Sequence, residues 1–120
     1  MEKINMKTVV VALLKSVTEI KKVATDYPTT WNTFPTAIYR TSSKPNFVDY
    51  NGEELQTQWN VTIELYGNGS LTDIVTQIMN AFGDIGFFGT FKDANTADLT
   101  RVIIELSAIV DNKTKYVYSK

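Results

Sequence analysis

Between Glu53 and Tyr66 the chain alternates apolar and polar positions. Trp59, Val61, Ile63 and Leu65 fall on one side of an extended backbone, and Gln58, Asn60, Thr62 and Glu64 on the other. Successive strand side chains point to opposite faces, so this pattern predicts a strand buried on one side only. Asn51-Gly52 precedes it, a dipeptide suited to the positive φ angles of a tight hairpin turn. The other limb reads as two extended pieces, Thr36 to Ser42 and Phe47 to Tyr50, with Ser42-Ser43-Lys44-Pro45 breaking it. Proline has no N–H for a ladder, so Pro45 marks a bulge or a sheet edge. A strand from Glu53 to Tyr66 would be roughly 45 Å long, more than a domain of this size needs for its own core. A hairpin that outreaches its core pairs with something else, which points to assembly.

The remaining elements follow from period and punctuation. Met6, Val9, Val10, Leu13, Leu14 and Val17 recur at helical spacing and predict a helix over 5–17. Glu19 to Asp26 alternates with neither face strongly apolar, as an edge strand does. Asp26 to Pro35 is a loop bounded by Pro28 and Pro35; its Trp31 and Phe34 are expected to fold back as a lid on the core. Leu71, Ile74, Val75, Ile78, Met79 and Phe82 form an apolar stripe on a second helix. Ser70 and Asp73 are spaced to cap its start, and Gly83 is placed to end it. Phe87 to Lys92 reads as a strand. Leu99 to Val110 is a long one, with Val102, Ile104, Leu106, Ala108 and Val110 on one face. Its other face mixes Arg101, Glu105 and Ser107 with Ile103 and Ile109, and Lys115 to Tyr118 is placed to pair back beside it. Strands cluster without regular βαβ alternation. The expected fold is therefore α+β: one domain over 1–120, an antiparallel or mixed sheet, a long protruding hairpin, and two helices packed on one face.

Composition narrows the function classes. The 120 residues suffice for one core, and 12 basic against 13 acidic residues offer no electrostatic footprint for nucleic acid. There is no cysteine, hence no disulfide or thiol chemistry. The longest apolar run, Val9 to Leu14, is far too short for a membrane span, and Lys15 interrupts it with no small-residue cleavage site following.

The absence of histidine removes the commonest general base and metal ligand. No Gly-rich phosphate loop is present: the glycines never frame GxGxxG or GKS/T. Carboxylates remain, but Glu53 and Glu54 are adjacent on a strand and point to opposite faces. Asp93 and Asp98 flank a turn, where solvation and capping account for them. Lys113, Lys115, Tyr116, Tyr118 and Lys120 interleave charge with aromatics, a pattern that a solvated edge strand explains. No catalytic residue, cofactor or metal site is expected.

The order of elements and the local wording resemble the tail-terminator, or tail-completion, proteins of long-tailed bacteriophages and prophages. The resemblance rests on TEIKKV, DYPTTWNTFPTAIYRT, FVDYNGEELQTQWNVTIELYG, SLTDIVTQIMNAFGDIGF and DANTADLTRVIIELSAIVDNKTKYVY, covering nearly the full length. It implies a structural virion protein without catalysis, ringing the head-proximal end of the tail tube, typically as a hexamer. Such a ring stops tube growth and offers the surface that joins the capsid connector. Its implied partners are further copies of itself, the tail tube protein and the head–tail connector protein; DNA would only pass through the lumen. Its location would be the virion, and the host cytoplasm during assembly. A neck adaptor of the connector is the neighbouring alternative. A small-molecule binding module using Trp31, Phe34 and Trp59 is the alternative from another class. The resemblance supplies no interface motif, so interface positions come from the residues themselves. The hairpin tip, Phe47, Val48, Tyr50, Glu53, Glu54 and Leu55, is one candidate. Ile103 and Ile109 with the Tyr116–Tyr118 edge are the other.

Overall fold

The computed structural model describes residues 5–115, 117 and 118, the last without its side chain. Helix α1 spans Met6–Ser16, with Asn5 as its cap accepting a hydrogen bond from the Lys7 N–H at 3.1 Å. Strands β1 (Lys22–Ala24), β2 (Thr36–Val48) and β3 (Glu54–Gly67) follow, then helix α2 (Thr72–Asp84). Strands β4 (Phe88–Asp93), β5 (Thr100–Asp111) and β6 (Val117–Tyr118) close the chain. The sheet order is β1-β2-β3-β5-β4, with β6 also on β5. β1 runs parallel to β2 and every other pair is antiparallel, so the sheet is mixed and the fold is α+β.

Register explains the core. Val61, Ile63 and Leu65 of β3 stand opposite Leu106, Ile104 and Val102 of β5, and directly opposed residues share a face. That face meets Met6, Val10 and Leu14 of α1 and Ile74, Val75, Ile78 and Phe82 of α2 in one buried cluster. Both helices therefore lie on one side of the sheet. Their β-side partners are the residues that the period-2 pattern assigns to the apolar face.

The local capping signals misplace the ends of α2. Ser70 and Asp73 do not form a capping box. Leu71 is the N-cap, without a side-chain hydrogen bond, and the Ser70 hydroxyl lies 3.4 Å from the Thr72 N–H. Leu71 is buried against the core, and that burial starts the helix one residue later than the local signal. At the other end Gly83 stays helical. Gly86, at φ 92°, is the left-handed residue. The Phe87 N–H donates to the Phe82 carbonyl at 2.9 Å and the Gly86 N–H to the Gly83 carbonyl at 3.0 Å. Those two bonds define a Schellman stop, and the edge-on Phe82–Phe87 ring pair is its hydrophobic clasp.

The long hairpin also differs from its expected form. β2 is one strand through Pro45, with register shifts on either side of Phe47, so Pro45 marks a bulge and not a break. Nor do β2 and β3 stand alone at their far end. β5 accompanies β3 as far as the Gln56–Asp111 pair, and the Asn112 N–H bonds the Leu55 carbonyl at 2.9 Å. A third strand carries the arm nearly to its turn. The molecule measures 52 × 27 × 22 Å, its long dimension reflecting these strands.

Candidate functional site

The turn at the arm's end is built by Asp49. Its carboxylate accepts the Asn51 and Glu53 N–H groups at 3.0 and 2.9 Å. Its carbonyl accepts the Gly52 N–H at 3.0 Å. Only Gly52 has positive φ, 84°; Asn51 does not share it. The Asn-Gly signal located the turn, but the side chain that organises it is Asp49, two residues earlier. This geometry lifts Tyr50 clear of the protein at 98% exposure, beside Phe47 at 54% and Val48 at 45%.

Two other members of the expected tip belong to the fold. The Glu54 carboxylate accepts from the Thr57 hydroxyl. The Asn112 side-chain amide donates to the Glu54 carbonyl at 3.2 Å and to the Thr57 hydroxyl at 2.9 Å. Thr57 and Asn112 are buried, and Leu55 is half-buried. Glu54 and Leu55 are thus structural supports of the arm, and the exposed apolar tip contracts to Phe47, Val48 and Tyr50. Glu53 lies in the turn, exposed, its N–H held by Asp49.

Ile103 and Ile109 lie half-buried on the face without helices. Tyr118 stands opposite Ile109 in the β5–β6 pair. Tyr116 lies outside the described residues. A second exposed apolar group is Phe88 and Phe91, at 55% and 56% exposure, on β4, whose outer edge no strand covers among the described residues. The signal available was two phenylalanines within one short strand that carries no alternation.

The loop between β1 and β2 behaves as a lid. Parallel neighbours require the chain to cross the sheet, and here it crosses the helix-free face. Trp31 stacks on Phe34 and sits 4.6 Å from the Tyr66 ring, with Tyr27 edge-on to Tyr66. Trp59, by contrast, belongs to the buried cluster under the helices. Trp31 and Phe34 therefore stand across the sheet from Trp59, and the three cannot line one pocket.

Under the lid, Glu64 pairs with Arg101 and accepts from the Tyr27 hydroxyl at 2.5 Å. Burial alone would raise the Glu64 pKa. The hydrogen bonds from Tyr27 and Arg101, with the charges of Arg101 and Arg40, outweigh it and hold the carboxyl below its ordinary 4.5. Burial, with Glu64 nearby, pushes the Tyr66 hydroxyl up to about 12. A depressed carboxylate stabilises the fold above its unfolded pKa and loses that contribution as pH falls through the folded one. A raised phenol does the converse, and its contribution is lost as pH rises from 10.0 through about 12. Melting temperature should therefore fall on acidification below pH 4.5, and Glu64→Gln should flatten that acid limb. An identical acid limb in the variant would show that other carboxylates govern it.

No single cleft holds both acidic candidates. Asp93 lines one of about 240 Å³ with Leu71, Thr72, Val75 and Phe91, and Asp98 lines an adjoining one beside Asn68; Asn95 and Thr100 border both. Among the described residues no three Asp or Glu side chains gather as metal ligands would, and no helix is long and apolar enough to cross a membrane. No protein-family model matches the chain, and no curated protein matches it.

Proposed function

We propose that this protein is a structural subunit of a phage tail neck. It would ring the head-proximal end of the tube, terminate tube growth and present the surface for the capsid connector. The observation that carries this reading is the apolar tip. Phe47, Val48 and Tyr50 stand exposed at the end of an arm that a third strand accompanies as far as Gln56, beside a turn fixed by Asp49. Exposed aromatics on a supported tip are costly in an isolated molecule and are explained by burial against a partner. The resemblance of the chain to tail terminators implies that this partner is a neighbouring copy in a ring of hexameric symmetry. The same resemblance implies contacts to the tube and connector proteins, with DNA in the lumen. Separation of Trp31 and Phe34 from Trp59 argues against the binding-module alternative.

The test replaces Phe47, Val48 and Tyr50 together with serine. Melting should stay within about 1 kcal/mol of wild type, because the three are exposed. Ring formation should be lost, and particles assembled with the variant should carry overlong tails or tails not joined to capsids. Normal tails from a folded variant would overturn the reading.

A further inference from the structure

Among the described residues the sheet ends in two edges that no further strand covers, and they match. On one side β1 pairs β2 only through Ala24 and Ile38, and no described strand runs beside β2 beyond that point. Pro45 and the bulge after it end regular pairing on the same strand. The open stretch is therefore Tyr39 to Lys44, six residues. On the other side lies β4, Phe88–Asp93, also six residues and exposed throughout. It carries Phe88 and Phe91 on an edge that monomeric proteins ordinarily protect.

Strand direction is compatible as well. β2, β3, β5 and β4 alternate in direction, so β4 runs opposite to β2. Placing a second copy beside the first in the same orientation sets its β4 antiparallel to the first copy's β2. Every pair along the enlarged sheet, apart from β1–β2, is then antiparallel.

The register can be read from the ladders. Phe88 is level with Ser107, Asn60 and Ser42, and Asp93 with Val102, Leu65 and Ala37. Moving β4 of the second copy along by two residues, roughly 7 Å, brings its whole length opposite Tyr39 to Lys44. A shift of two keeps the faces matched: Gly89, Phe91 and Asp93 stay on the helix side with Tyr39, Thr41 and Ser43. A fixed stagger per copy is also what a closing ring of strands requires.

We infer that copies of this chain associate head to tail through β4 of one and the Tyr39–Lys44 edge of the next, joining their sheets. This rests on the ring reading above and names the surface that receives each neighbour. The contact is heterologous, because it uses two different edges, and such contacts generate a ring where the rotation from copy to copy closes. In this register Thr90 faces Ser42, and Lys92 faces Arg40.

The chain has no cysteine, so the contact can be trapped directly. Ser42→Cys and Thr90→Cys are both at exposed positions. After mild oxidation at the highest attainable concentration, the double variant should give a ladder ending in a closed ring. Mixing the two single variants should give dimers only, and each single variant alone should give none. Lys92→Glu should tighten association several-fold by removing the like-charge pair with Arg40. Self-crosslinking of a single variant would mean a two-fold contact and overturn the inference. Rings seen by native mass spectrometry without the ladder would overturn the edge contact while leaving the ring reading intact. A folded protein that gives neither rings nor ladder overturns both.

Discussion

Ile78→Asp is expected to leave the protein unfolded or nearly so. Ile78 is fully buried in α2, within the cluster formed by both helices and the apolar face of β3 and β5. A carboxylate there loses the packing of a large aliphatic side chain, about 2–5 kcal/mol for truncation of such a residue. It also buries a charge with no counter-ion, or else shifts its pKa to stay neutral. Either outcome removes much of the 5–15 kcal/mol that typically separates folded from unfolded states. Circular dichroism with thermal melting checks this; a soluble variant with an unchanged melting temperature would show that the stripe is not the buried face.

Gly89→Val should produce the next largest effect, at a position with an exposed environment. A Cβ on Gly89 would lie 1.8 Å from the Glu105 carbonyl oxygen and 2.9 Å from the Leu106 Cα. Both obstacles are backbone, so no rotamer relieves the clash, and β4 must separate from β5 locally. The requirement is close approach of two chains, not an unusual φ. The expected cost is about 1–3 kcal/mol, in the range of overpacking substitutions. Hydrogen exchange should show lost protection in Phe88–Asp93 and in the facing part of β5, while α1 and the β2–β3 pair retain theirs. Equal protection throughout would mean that the backbones do not approach closely there. Because β4 is also the proposed edge for a neighbour, the same variant should fail to associate.

The two substitutions probe different kinds of information. Spacing alone places Ile78 in the core, because a helix with one apolar stripe has one face to bury. The same holds for Trp59 to Leu65 and for the even positions of β5, whose alternation survives intact in the register. Gly89 carried no such signal. A glycine in a short strand reads as a weak point until the neighbouring backbone is placed against it. Asp49 is similar: many aspartates lie near turns, and only the fold shows which carboxylate gathers the N–H groups.

The candidate interface was legible in part. Phe47, Val48 and Tyr50 follow from their position before a turn signal. Proximity in sequence groups Glu54 and Leu55 with them, but Asn112 reaches across from the end of β5 and ties that segment into the sheet. A contact between positions 58 residues apart has no local trace. The exposure of Phe88 and Phe91 has no local trace for the converse reason: an apolar residue in a strand reads as buried unless the strand lies at an edge.

By itself the sequence determined the two helices, the long strands, their buried faces and the α+β class. Each of these depends on the period of side chains along one segment, and a period is a local property. Tertiary structure alone decided which strands are neighbours, that β1 is parallel to β2 and so sends the aromatic lid across the helix-free face, where the helices cap and stop, and which edges stay open. Those outcomes depend on what lies across a gap in space, and burial of Leu71, close backbone approach at Gly89 and the reach of Asn112 arise only when distant segments meet.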